Sequence, residues 1–388
     1  MNTKEILDAA RKLAPSVRAR AADAENMRRL PDETVKELTD AGVFRLTQPS
    51  AHGGFSADPA DFYEVLRQLG DACCSTGWCC GVFGVSAWLV AQYDPRAQAE
   101  VWGTNHDALV CFVQAPMGQA ENAEGGFRVS GRWSYASGCD HADWALLGAR
   151  VDGGGGLFEW RCFLLPRSDY RVHAEWDSVG LRGTGSSDIT VEDAFVPNHR
   201  SLSMEQLSAS VRPGHDANLE PLYRLPMGSV LTTSISAPLV GAAEAACRCY
   251  LASTRERIRG SSNSRTAEDP FVHVRLGRAA SEIDAAWLQL MRNIQDLYEY
   301  ARRGETPPMA LRTRLRRDQV RATERVVYAV DLLMDHAGAG ATRAGDNVLQ
   351  RAWRDIHTGR GHVANDPERS LTLFGSEVLG LPVHDPML

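Results

Sequence analysis

The chain has 388 residues, 44% hydrophobic and 23% charged, with a net charge of -7. That length accommodates two or three packed units, the ordinary composition excludes a disordered or fibrous chain, and the acidic balance excludes an electrostatic footprint for nucleic acid or an anionic membrane. Nine cysteines behind a polar opening, MNTKEILDAARKLAP, argue against a disulfide framework and for a cytoplasmic location.

The first hundred residues read as helices. LPDETVKELTDAG places Pro31 near a helix start and Gly42 just past its end. SADPADFYEVLRQLG repeats the pattern, with Asp58 as N-cap, Pro59 at the first turn and Gly70 as the stop. YDPRAQAEVWG does so a third time with Asp94, Pro95 and Gly103. Between them, Ser75 to Tyr93 is apolar nearly all round, as expected of a buried helix, and the stretch Trp78 to Val90 is too short to span a bilayer. The run CCSTGWCC lacks the second, well-separated Cys or His pair of a structural zinc site. Its thiols read as small hydrophobes, and no metal is expected.

From about Leu109 to Arg200 short β-rich runs follow: ALVCFVQA, FRVSGRW, WALLGARV, FEWRCFLL, YRVHAEW and DITVEDAFV. They predict a small antiparallel sandwich or barrel. The DGGGG run lies between two strand patterns and reads as a hairpin loop, not a phosphate cradle, which would open a helix. From about Leu225 apolar residues recur at three- and four-residue spacing in long helices that suit a four-helix bundle, and Asp366-Pro367 starts a last helix. The fold class is therefore mainly α with a β insert: an N-terminal helical domain over 1–108, an antiparallel β-sandwich or barrel over 109–205 and a C-terminal helical bundle over 206–388. The crevice between sandwich and bundle is the expected small-molecule site.

The order α, β, α and four strings in it resemble the acyl-CoA dehydrogenase fold. The strings are STGWCCGVFGVSAWLVAQYDPRAQAEVWG, GRWSYASGCDHADW, WDSVGLRGTGSSDITVEDAFVP and RAWRDIHTGRGHVANDPE. More narrowly, they resemble its flavin-dependent monooxygenase branch, which uses reduced flavin supplied by a separate reductase. The resemblance implies reduced FMN, or FAD, between sandwich and bundle. It implies Ser137 near the flavin N5 and C4a, with Gly138 beside it. Trp133 and Tyr135, two apart on a strand, are expected to share one face that flanks the ring. Without the resemblance that string reads as an aromatic strand in the sheet core. His362, at the break between two helices, is implied to assist the oxygenated flavin, a role suited to an imidazole with a pKa near neutral; its spacing alone suits a helix-capping histidine equally. Thr184 and Ser186 in GLRGTGSSD can donate hydrogen bonds to flavin or substrate, or form a turn. Arg265 in the loop SSNSRTAEDP is the implied phosphate partner, reaching into a neighbouring subunit; a basic surface loop is the alternative. Cys139 and His141 read as a polar turn, because no third group orients a thiol–imidazole pair.

Two positions depart from the branch. Ser86 stands in GVSAW where many aromatic hydroxylases have histidine, and Phe112 replaces a small hydroxyl residue. Phe112, Trp88, Phe83 and Trp176 can line a pocket for a polycyclic aromatic, or serve as core. No Tyr-Glu-Gly-type string supplies a dehydrogenase base, and Glu377 reads as part of an ordinary closing helix. The expected function is the oxygenase component of a two-component monooxygenase. It hydroxylates an aromatic, polyketide-type substrate of the kind met in antibiotic biosynthesis, through a C4a-hydroperoxyflavin formed from reduced FMN and O2. The alternatives are a same-fold lyase, hydrolase, isomerase or ligand binder without redox chemistry, and an N-hydroxylase of an amino sugar. A homotetramer or homodimer and a transient reductase partner are expected.

Overall fold

In a computed structural model, residues 2–154, 157–208, 213–258, 264–343, 347–385 and 388 are described. Six helices open the chain: α1 (Thr3–Ala19), α2 (Ala21–Met27), α3 (Asp32–Asp40), α4 (Pro59–Ala72), α5 (Cys74–Val90) and α6 (Pro95–Trp102). The Asp-Pro starts behave as expected: Asp58 accepts from the Ala60 N–H, and Asp94 from the Arg96 N–H. Gly70 does not stop its helix. It lies inside α4 because a Cβ there would meet the Pro238 backbone at 2.4 Å, so the glycine marks a helix crossing. Every residue of α5 is buried, which explains its all-round apolar sequence.

Seven strands follow: β1 (Val110–Ala123), β2 (Gly126–Ala136), β3 (Trp144–Gly154), β4 (Leu157–Pro166), β5 (Arg171–His173), β6 (Ser187–Pro197) and β7 (Ser201–Ser203). They form one sheet in the order β5-β6-β2-β1-β3-β4-β7. The expectation of a wholly antiparallel sheet is corrected at one place, since β1 and β3 run parallel, Val110 opposite Trp144. The DGGGG run falls at the turn joining the paired strands β3 and β4; residues 155–156 lie outside the described part. The inner face of the sheet holds Phe127, Val129, Trp133, Leu147, Phe163, Ile189 and Val191.

After the short α7 (Met204–Ser208), the bundle is built from α8 (Met227–Glu256), α9 (Pro270–Arg303), α10 (Met309–Met334) and α11 (Val348–Arg360), closed by α12 (Pro367–Val378). Helix α8 is long and apolar enough to cross a membrane by composition, yet most of it is buried against α4, α5, α10 and α11, as the core helix of the bundle. All nine cysteines are free thiols, and the described residues contain no cluster suited to a metal.

Candidate active site

Strand β2 does not keep its two-residue alternation to the end. Tyr135 adopts a left-handed backbone (φ 68°) and the pairing with β6 shifts between Trp133 and Ala136. Trp133 and Tyr135 therefore part company, which corrects the expected shared face. Trp133 is fully buried in the sheet core, its indole N–H on the Gly148 carbonyl at 2.6 Å. Tyr135 is 71% exposed, with its ring edge-on to Trp176, centroids 6.2 Å apart.

The same irregularity turns Ser137 inward. It is buried, and Gly138 behind it is left-handed (φ 76°), with Phe83 2.5 Å from where a Cβ would stand. Four side chains then form one chain of hydrogen bonds. The Trp78 indole N–H donates to Ser137 Oγ (3.2 Å), Ser137 and Ser186 hydroxyls are 2.7 Å apart, Ser186 and Thr184 hydroxyls 2.6 Å, and Thr184 Oγ1 donates to the Leu181 carbonyl (2.8 Å). Each hydroxyl has one proton, so the direction is set. Thr184 commits its proton to Leu181, Ser186 must donate to Thr184, and Ser137 must donate to Ser186.

The far end of this chain is anchored on α11. Leu181 has a left-handed backbone (φ 51°); its carbonyl also accepts the Trp176 indole N–H (3.1 Å), and its N–H donates to Asp355 Oδ1 (2.6 Å). Arg354 holds the preceding turn through the Val179 carbonyl (2.8 Å) and is itself paired with Glu25 (2.6 Å). Burial pushes the Asp355 carboxyl up to about 7, against the pull of the Leu181 N–H and Arg354.

His362 follows α11. It caps the short 3-10 turn after it, Nδ1 accepting the Ala364 N–H at 3.1 Å. Its ring meets the Trp78 indole edge-on, centroids 5.8 Å apart. Trp78 thus stands between Ser137 and His362. Burial, helped by the Arg316 guanidinium, pushes the imidazole down to about 4, which corrects the near-neutral expectation. A neutral ring with Nδ1 as acceptor carries its proton on Nε2, and that N–H has no partner among the described residues.

The remaining expected residues scatter. Ser86 is buried on the Trp78 face of α5, two turns on, and donates to the Val82 carbonyl (2.9 Å). Phe112 on β1 is half-buried and packs against both the N-terminal and bundle cores. Trp88 is core, with its indole N–H on the Leu222 carbonyl at 2.9 Å. Arg265 is exposed beside residues 259–263, which lie outside the described part. Cys139 and His141 do not form a pair: the Cys139 thiol, pushed up to about 12 by burial, faces the Gly185 carbonyl, and His141 bonds the Leu30 carbonyl (3.0 Å). The sequence reading missed Trp78 and Asp355. A signal for Asp355 exists: it shares the buried face of α11 with Ala352, Ile356 and Gly359, where a carboxylate is out of place. Trp78 offers none, being one apolar residue of a wholly buried helix.

A cavity of about 360 Å³ opens elsewhere, between α7, the N-terminus of α8 and the α9–α10 connection. None of the hydroxyls lines it. Its Met227 receives the Gln114 amide (2.9 Å), two residues along β1 from Phe112.

A chain split into helices, a sheet and a bundle, with a cluster of hydrogen-bonded polar side chains where the three meet, has the architecture of the acyl-CoA dehydrogenases. Residues 2–104 match the model of the acyl-CoA dehydrogenase N-terminal domain and residues 233–367 that of the C-terminal domain. The chain belongs to this family, in its flavin-dependent monooxygenase branch. It is 45% identical to the flavin-dependent monooxygenase oxygenase subunit HsaA of Rhodococcus jostii, over 97% of this chain and 98% of that one. It is 34% identical to the FADH(2)-dependent resorcinol hydroxylase oxygenase component of a Rhizobium species, over 95% and 92%. The crystal structure of the HsaA monooxygenase from M. tuberculosis superposes with a TM-score of 0.95 over the full length of both chains, at 44% identity.

Proposed function

We propose that the chain is the oxygenase component of a two-component monooxygenase that hydroxylates a polycyclic phenol in the cytoplasm, with reduced FMN or FAD delivered by a separate reductase. The observation that carries this reading is the pairing of two hydrogen-bonding groups across Trp78: a rotatable Ser137 hydroxyl on one side and, on the other, an imidazole N–H without a partner among the described residues. The residues fit a flavin. Its polar edge needs hydrogen-bond donors, which buried Ser137 and half-buried His362 supply; exposed Tyr135 and half-buried Trp176 offer aromatic surface beside them. When bound, reduced flavin supplies the two electrons that activate O2 for transfer of one oxygen atom to the ring.

The side chains do the rest. Ser137 can turn its proton from Ser186 toward the flavin without losing the Trp78 N–H that holds its lone pair. His362, neutral above about pH 4, presents a donor at Nε2 and does not withdraw protons at physiological pH. Ser86 has committed its proton to Val82, so toward a substrate it is an acceptor, matching a phenol O–H rather than a phenolate. Asp355 Oδ1 accepts the Leu181 N–H, which gives this buried carboxylate the task of anchoring the turn that carries Thr184.

The test is rapid mixing of the chain, carrying reduced FMN or FAD, with aerated buffer and a polycyclic phenol. A flavin absorbance transient that decays with stoichiometric hydroxylated product is expected. Failure to bind reduced flavin, with the phenol still bound or converted, supports the redox-silent alternative instead.

A further inference from the structure

The turn that carries His362 is held from behind by a chain of buried polar side chains whose direction is fixed. Arg316, Gln319 and Thr323 recur at three- and four-residue spacing on one buried face of α10. Arg316 Nη1 donates to Gln319 Oε1 (2.5 Å), and Gln319 Nε2 donates to Asn365 Oδ1 (2.5 Å) and to Ser236 Oγ of α8 (2.8 Å). Thr323 Oγ1 donates to the same Asn365 oxygen (3.3 Å), and Asn365 Nδ2 donates to the Gly359 carbonyl at the end of α11 (2.7 Å). A guanidinium can only donate. It therefore sets the Gln319 amide with its oxygen toward Arg316 and its NH2 toward Asn365. Asn365 must then present its own oxygen to Gln319 and its NH2 to Gly359. Burial pushes Arg316 down to about 10, with Asp385 and Asp366 pulling the other way, so it remains a cation at neutral pH.

The receiving end of this chain is the histidine's own turn. The Asn365 N–H closes it on the His362 carbonyl (2.8 Å). Arg316 Nη2 donates to the Ala364 carbonyl (3.0 Å), while the Ala364 N–H occupies His362 Nδ1 (3.1 Å). Gly359 is pressed against Leu239 and Trp78: a Cβ there would lie 2.7 Å from the first and 3.3 Å from the indole. Among the described residues the imidazole has no hydrogen bond to another side chain, so the turn sets its place. We infer that Gln319 and Asn365, directed by Arg316, are positioning residues for His362: they hold the turn that caps Nδ1 and keeps the ring against Trp78. A loosened turn frees Nδ1 and lets water reach the ring, and both favour the charged form. The inference deepens the oxygenase reading and rests on it for the use of the imidazole, but the placement itself needs neither flavin nor O2.

The test uses the full chain labelled with 15N-histidine, the His362 ring signals being those lost in His362→Asn. In the wild type they should not titrate between about pH 5 and 8, since the ring is neutral down to about 4. In Asn365→Ala a titration should enter that window. Gln319→Leu keeps the volume and breaks the chain; it should do the same, and it serves if Asn365→Ala does not fold. Ser236→Ala removes a hydroxyl that Gln319 also holds, with no link to the turn, and should leave the ring silent. A ring that stays neutral throughout in both chain variants, or one that titrates equally in Ser236→Ala, overturns the inference. With reduced flavin, O2 and a polycyclic phenol, product per flavin should fall roughly tenfold in Asn365→Ala at unchanged flavin affinity, as expected of a misplaced group. Adding Asn365→Ala to His362→Ala should cost nothing further, and losses that multiply overturn positioning through the imidazole. Coupling unaffected by His362→Ala counts against the oxygenase role of the imidazole, and the titration then decides the placement alone.

Discussion

Asp355 and His362 carry opposite proton linkages. His362 sits at about 4 in the folded chain, below the ordinary histidine value near 6.5, so the unfolded chain accepts a proton that the native one refuses. The stability tied to the neutral ring is complete above about pH 6.5 and is lost as pH falls toward 4. Asp355 is raised to about 7, so here the native chain holds the proton longer; its contribution is complete below about pH 4 and is lost as pH rises through 7. Between pH 4 and 6.5 the two slopes offset. Asp355→Asn should make stability rise more steeply with pH across that window. His362→Asn should tilt it the other way, each by up to ~1.4 kcal/mol per pH unit. Denaturant titrations at several pH values read this, and curves parallel to wild type would refute the assignment. Ser137→Ala removes the one hydroxyl that faces both Trp78 and Ser186. It should lower product formed per reduced flavin consumed by roughly tenfold or more, with peroxide making up the balance, as expected when an oriented donor is lost. Unchanged coupling would remove Ser137 from the reaction.

Among the elements, α5 and the turn after β2 show where pattern reading succeeds and where it stops. The buried helix was legible because no polar stripe interrupts it. The face of each residue on β2 was not, because a period of two holds only while the strand is regular, and the left-handed Tyr135 breaks it. Gly70 shows the same limit. As a single residue it looks like a helix stop, and only the neighbouring helix reveals it as a contact point. Glycines pave that crossing: a Cβ at Gly241 of α8 would lie 2.0 Å from the Arg67 carbonyl of α4. Gly241→Ala should therefore force the two helices apart and cost roughly 2–3 kcal/mol, measured by denaturant unfolding. A smaller change would mean the crossing can slide. The parallel pairing of β1 with β3 was equally hidden, since strand runs announce themselves in the sequence but their partners do not.

At the scale of the whole molecule, several large apolar side chains face outward. Val274 and Leu288 are 50% and 67% exposed, fourteen residues apart on one face of α9, with Tyr328 of α10 and Leu379 after α12 also outward. Surface of this kind is characteristic of self-association. The chain should sediment as a dimer or tetramer, and Leu288→Arg should shift it toward smaller species; a monomer at micromolar concentration would refute the assembly. The amino-acid order by itself determined the division into helices, sheet and bundle, because hydrophobic period and Asp-Pro caps are local properties. It also marked Ser137, Thr184, Ser186 and His362 through strings that resemble a family. Only the tertiary structure decided that Trp78 stands between hydroxyl and imidazole and that Asp355 anchors the turn carrying Thr184. Those facts depend on residues about sixty to about two hundred and eighty positions apart meeting in space, and on the desolvation that follows. Neither distance nor dielectric is written in the local pattern of a chain.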